Sequence, residues 1–100
     1  MATITKALVR TAAATSSTTL YTVPASTTAV ITNILVVNTA AVGATFELLL
    51  DDVSIAKTVT IGANDTLSID LKQVLAAAKT IKGLASAVTV NFHISGVEIV

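Results

Sequence analysis

Strict alternation of apolar and polar residues constrains this chain more than any other feature. Val88, Val90, Phe92 and Ile94 fall on one side of an extended segment, with Thr89, Asn91, His93 and Ser95 on the other. Successive side chains of a strand point to opposite faces, so the segment is predicted to sit in a sheet with one covered face. The same period recurs upstream. Leu67, Ile69 and Leu71 alternate with Ser68 and Asp70. Phe46, Leu48 and Leu50 share a face, although Leu49 spoils the polar side, and Val53, Ile55, Val59 and Ile61 share another, interrupted by Lys57. β-branched residues are abundant throughout, and they suit a pleated, half-buried surface better than a helix. Strands are therefore predicted over 20–23, 29–38, 45–50, 53–61, 66–71 and from Val88 onward. Pro24, the Gly43 loop, Asp51-Asp52 as a tight hairpin turn, Gly62–Asp65 and Gly83 punctuate them. Short antiparallel strands at roughly 8–12-residue spacing predict an all-β fold, a β-sandwich of jelly-roll-like kind with seven or eight strands.

Three segments depart from this pattern. After Ile94 the apolar parity changes, because Val97 and Ile99 are odd-numbered, and Gly96 sits at the change. A β-bulge at Ser95-Gly96 would return both residues to the core face. Residues 29–38 are apolar on both faces, with Val30, Ile34 and Val36 on one side and Ile31, Leu35 and Val37 on the other. The second face is expected to be covered by another segment or another chain. Residues 72–79, centred on Val74–Ala78, are the one helical candidate, with a single turn or loop as the alternative. Residues 1–19 are read as an extended N-terminal arm ahead of a sandwich domain over 20–100. The stretch 11–19 is low in complexity and offers little to bury. Ile4, Leu8 and Val9 are the docking side chains of such an arm; a short edge strand is the other reading.

Little in the sequence supports catalysis. No Cys is present, which removes thiolate metal sites, disulfides and a Cys nucleophile. His93 is the one imidazole, on the polar side of a strand, with no second ligand signalled. Asp51-Asp52 and Asn64-Asp65 carry oxygen donors but lack the spaced array of a calcium loop, so they read as turns. There is no nucleophile elbow and no glycine-rich phosphate loop. No cofactor is expected.

Charge bounds the partners. Six Lys+Arg balance six Asp+Glu, and charged residues make up 12%, about half the usual share. No basic footprint for nucleic acid or anionic lipid follows from that balance. Residues 11–46 carry no charge, but Ser/Thr clusters, Pro24, Asn33 and Asn38 interrupt them, far short of the ~20 apolar residues of a spanning helix. The N-terminus also lacks the continuous apolar core of a signal peptide. A weakly charged, Thr- and Ala-rich exterior of zero net charge favours association, so the surface is expected to lie against other protein. Ile4, Leu8 and Val9, with Ile31, Leu35 and Val37 as a flat contact, are the candidate interface residues.

The segment Leu20–Thr39, with its Leu-Tyr-Thr-Val-Pro-Ala opening and its aliphatic strand ending in Asn-Thr, resembles a group of small structural proteins of tailed bacteriophages. Residues 63–67 and 94–99 are similar to that group too, and Lys79 stands where its members commonly carry an acidic residue. The resemblance spans roughly residues 19–99. It implies a non-enzymatic virion protein with no catalytic residues to carry over, made in the host cytoplasm and located on the capsid surface. It further implies a capsid decoration (cement) protein whose partners are the major capsid protein and copies of itself. A tail or head–tail connector component is the alternative. A carbohydrate-binding adsorption module is a third reading, disfavoured because the three aromatic residues are too scattered to stack on sugars.

Overall fold

A computed structural model describes residues 2–100 and contains eight strands: β1 (Thr3–Ala12), β2 (Thr18–Thr22), β3 (Thr28–Asn38), β4 (Ala44–Leu50), β5 (Val53–Ile61), β6 (Thr66–Leu75), β7 (Thr80–Ala85) and β8 (Val90–Ile99). They form two four-stranded sheets in the orders β1-β8-β3-β6 and β2-β7-β4-β5. The first strand pairs with the last, the second with the seventh, the third with the sixth and the fourth with the fifth, all antiparallel. This is one long hairpin of strand pairs wound into two layers, the jelly-roll arrangement. The expected all-β sandwich is the fold observed. It is 45 Å long and 21 by 18 Å across, about the length of a ten-residue strand with its end loops.

The core lies between the inner faces. Ile34 and Val36 of β3 and Phe92 and Ile94 of β8 meet Phe46 and Leu48 of β4 and Ile81 of β7, all buried. Phe46 and Phe92 join the two sheets edge to face, with ring centroids 6.1 Å apart and planes at 70°. Gly83 makes room for Phe92 together with Leu20 and Leu48. A Cβ there would lie 2.9 Å from Leu20 Cδ1 and 3.2 Å from Phe92 Cε2. Gly83 is thus a core-facing position inside β7, not the turn its sequence context suggested.

The bulge expected at Ser95-Gly96 lies in the neighbouring strands instead. β8 alternates without a break, whereas its registers with β3 and β1 shift at Thr32 and Leu8, each an extra residue on the partner strand. Consequently Gly96 and Glu98 occupy the core face, and Val97 and Ile99 point outward. The parity change in the sequence records what fills the core face, not a kink in this strand. The Thr32 bulge also inverts part of β3. Ile31 falls on the core side with Ala29, while Leu35 and Val37 stay outside.

The predicted helix over 72–79 does not form. β6 runs on to Leu75, which is buried opposite Ala29, and Ala76–Lys79 make a tight turn with Ala78 at φ 69°. Four helix-favouring residues cannot offset the cost of helix nucleation when the β3 ladder offers bonds directly. The hairpin at Asp51-Asp52 is as expected, with φ of 53° and 61° supplying the left-handed pair that a tight two-residue turn requires.

The expected N-terminal arm is not what residues 3–12 make. They form β1, an edge strand laid against β8. Leu8 and Val9 help close the core, which a polar arm would leave open to water. Met1, part of that expected arm, lies outside the described residues.

Two polar clusters tie the sandwich at its ends. Asn38 is wholly buried where β3 leaves its sheet. Its amide donates to the carbonyls of Val42 (2.8 Å) and Gly62 (3.2 Å) and accepts from the Ala40 amide (3.1 Å) and the Thr89 hydroxyl (3.3 Å). Every polar atom of that side chain is satisfied, so three loops share one anchor. Toward the opposite end, Glu98 of β8 accepts from the Tyr21 hydroxyl of β2 and from Lys6 Nζ of β1 at 3.3 Å, linking the two sheets.

Candidate interaction face

The outer face of the β1-β8-β3-β6 sheet can be read row by row from the strand registers. Val74, Val30, Val97 and Thr5 make one row, and Asp70, Asn33, Ser95 and Ala7 the next. Ser68, Leu35, His93 and Arg10 follow, then Thr66, Val37, Asn91 and Ala12. Aliphatic side chains are thus spread among hydroxyls and amides, and in these rows Asp70 and Arg10 carry the formal charges. The β3 and β8 residues are half-buried by their neighbours, while Val74 on the edge is 68% exposed. Such a face is broad and low in charge, and it has few groups that must keep water.

The outer face of the other sheet is more polar. Lys57 reaches Glu47 at 3.4 Å across it. Lys82 holds Asp52 of the β4–β5 turn at 2.6 Å, and Lys79 holds Asp51 at 3.5 Å. These pairs use charge that the first sheet's face largely lacks.

The structure divides the six predicted interface residues. Leu35 and Val37 lie together on the outer face, as the alternation of β3 implied. Ile31 is fully buried in the core and Leu8 and Val9 nearly so, so none of the three is free to dock elsewhere. Ile4 is 46% exposed on the edge strand β1, opposite Glu98 and away from Leu35 and Val37. Sequence reasoning missed Val30, Val97 and Val74. Their signal was a register signal: Val30 lies opposite both of the others, and a single strand's pattern does not say what lies beside it.

Electrostatics single out the Glu98 cluster. The Tyr21 hydroxyl, then Lys6, hold the Glu98 carboxyl below its ordinary range in spite of its burial. Burial and the neighbouring carboxylate push the Tyr21 hydroxyl well above its own. The cluster ties β1, β2 and β8 together.

His93 sits in the outer face between Leu35 and Arg10. Among the described residues no three His, Asp or Glu side chains gather as a metal would need. Asp65 Oδ1 accepts from the Thr66 amide at 2.8 Å, and Asn64 has φ 54°, so this pair builds a turn, as Asp51-Asp52 does.

Comparison with known proteins finds a structural neighbour, a pentameric capsid protein isolated from metagenomic phage sequences, with 13% sequence identity and a TM-score of 0.40. The likeness covers 90% of this chain and 59% of that one, so the chain spans under two thirds of its neighbour's length. No protein-family model matches the sequence, and no curated protein matches it.

Proposed function

We propose that this chain is a non-enzymatic structural protein of a tailed-phage virion, a capsid decoration (cement) protein that seats the outer face of its β1-β8-β3-β6 sheet on the major capsid protein. The observation that carries the reading is the make-up of that face. Leu35, Val37, Val30 and Val97 stand on a weakly charged sheet face that no segment among the described residues covers. The likeness of Leu20–Thr39 to small phage structural proteins supports the same class. Burial of apolar area contributes ~25 cal/mol per Å² before association costs are met. One such contact is modest, but contacts repeated over a shell of neighbours reinforce one another through effective concentration.

The test is to mix purified protein with capsids lacking it and count the bound copies. Saturation at a fixed stoichiometry is expected. Leu35→Glu, on the outer face, keeps the fold and loses that binding. Attachment only at the neck or tail would reassign the protein to a connector or tail component. Failure to bind any particle component would end the structural reading, and a positive glycan array would then favour host adsorption.

A further inference from the structure

Each sheet of a two-layer sandwich leaves two strands with one free side, and free sides invite pairing with another chain. Here they belong to β1, β6, β2 and β5. Three of the four carry a feature that discourages pairing. β2 has five residues, and its register breaks at Leu20. The register of β5 shifts twice, and Thr58 within it holds φ 50°. β1 is bulged at Leu8, and two antiparallel copies centred there would set Lys6 against Arg10.

β6 has the least protection: its register with β3 shifts once, where Leu71 and Lys72 lie opposite Thr32, but inward and outward positions still alternate through that shift. It is ten residues long and contains no Pro, no Gly and no left-handed residue. Leu67, Ile69, Leu71 and Leu75 face inward, and Ser68, Asp70, Lys72 and Val74 face outward. Leu67, Ile69 and Leu71 are only partly buried, because nothing lies beyond this edge to cover them. The charges complete the case. Lys6, Lys57, Lys79 and Lys82 each hold a carboxylate within 3.5 Å. Asp70 and Lys72 have no ion-pair partner among the described residues, although they stand two positions apart on one face.

We propose that β6 pairs antiparallel with β6 of a second copy of this chain, about a two-fold axis at Leu71. This register sets Asp70 of each copy directly opposite Lys72 of the other. Leu71 meets Leu71, Ile69 meets Gln73, and Leu67 meets Leu75. Inward positions oppose inward positions, so the half-covered leucines gain neighbours while two reciprocal ion pairs form outside. Two four-stranded sheets become one sheet of eight strands. The pairing is independent of the virion reading, and a failure to bind capsids leaves its test unchanged.

The test is sedimentation velocity on the full chain over a concentration series, with circular dichroism to confirm folding. Wild type is expected to dimerise. Asp70→Lys and Lys72→Asp, each alone, place like charges across the axis and are expected to weaken the dimer by about tenfold or more. The double variant reverses both charges and restores dimerisation, and an equimolar mixture of the two single variants forms a mixed dimer. A wild type that stays monomeric throughout overturns the proposal, and so does a dimer indifferent to these substitutions.

Discussion

A Cβ on Gly96 would lie 2.2 Å from the carbonyl oxygen of Val30 and 3.0 Å from Leu8 Cδ1. The first of these is backbone of a central strand and cannot swing aside. Gly96→Ala is therefore expected to cost about 2–3 kcal/mol, read as a lower urea midpoint. Gly62 is the control. Its nearest neighbour would be 3.5 Å away, on the Asp65 side chain, and its φ is not left-handed. Gly62→Ala should stay within about 0.5 kcal/mol of wild type. The sequence marks Gly96 as special through the parity change beside it. It does not say why, because the obstacle belongs to a strand about 65 residues away in the chain and is found only by pairing them. Asn38 is similar. It ends an aliphatic strand and reads as a boundary, yet its four hydrogen bonds reach loops that come together only in the folded state.

Between strands, the Tyr21–Glu98–Lys6 cluster makes a pH-dependent contribution whose sign follows from its shifts. Glu98 has a lowered native pKa, so its contribution is full above its ordinary value of 4.5 and is lost as pH falls through the native one. The raised Tyr21 hydroxyl acts in the opposite sense. Its contribution is full below its ordinary value of 10.0 and declines as pH rises beyond that. Tyr21→Phe is expected to lower the thermal midpoint at neutral pH and to flatten the acid limb of a midpoint-against-pH curve; an unchanged acid limb would contradict this account. At this scale periodicity read β4 and the greater part of β6 and β8 correctly, because each has one wet and one dry side. It found the bounds of β5 but not its face: two register shifts bury Ala56 and leave Val53 and Ile55 exposed. It missed β7, whose Gly83 looks like punctuation until Leu20, Leu48 and Phe92, which need its space, are in place. It also stopped β6 short at Leu71, since a run of alanines favours a helix only while no partner strand is in view. Two of the five aliphatic residues of the candidate face were legible: Leu35 and Val37 are set opposite Ile34 and Val36 by simple alternation. Ile31 was misplaced because the extra residue at Thr32 reverses the faces, and a bulge is a property of two strands together.

For the molecule as a whole, the pairing of first strand with last means that the sheets close late and at long range, which places folding in the slow, millisecond-to-second class. It also makes β1 integral. Deleting residues 1–12 removes Leu8 and Val9 from the core and strips β8 of a neighbour. The loss is expected to be at least about 3 kcal/mol, or the truncated chain fails to fold. A detachable arm would leave the urea midpoint where it was. The low-complexity stretch that suggested such an arm includes the connection from β1 to β2, where the chain crosses from one sheet to the other. Closure brings residues 2 and 100 together, where Ala2 and Val100 exchange two backbone hydrogen bonds of 2.9 Å each. A short peptide spanning that point would turn the chain into a ring without disturbing a strand. A circularly permuted version could then be opened at the loop around Gly43, and a tag or cargo fused at either residue would leave from the same corner of the sandwich.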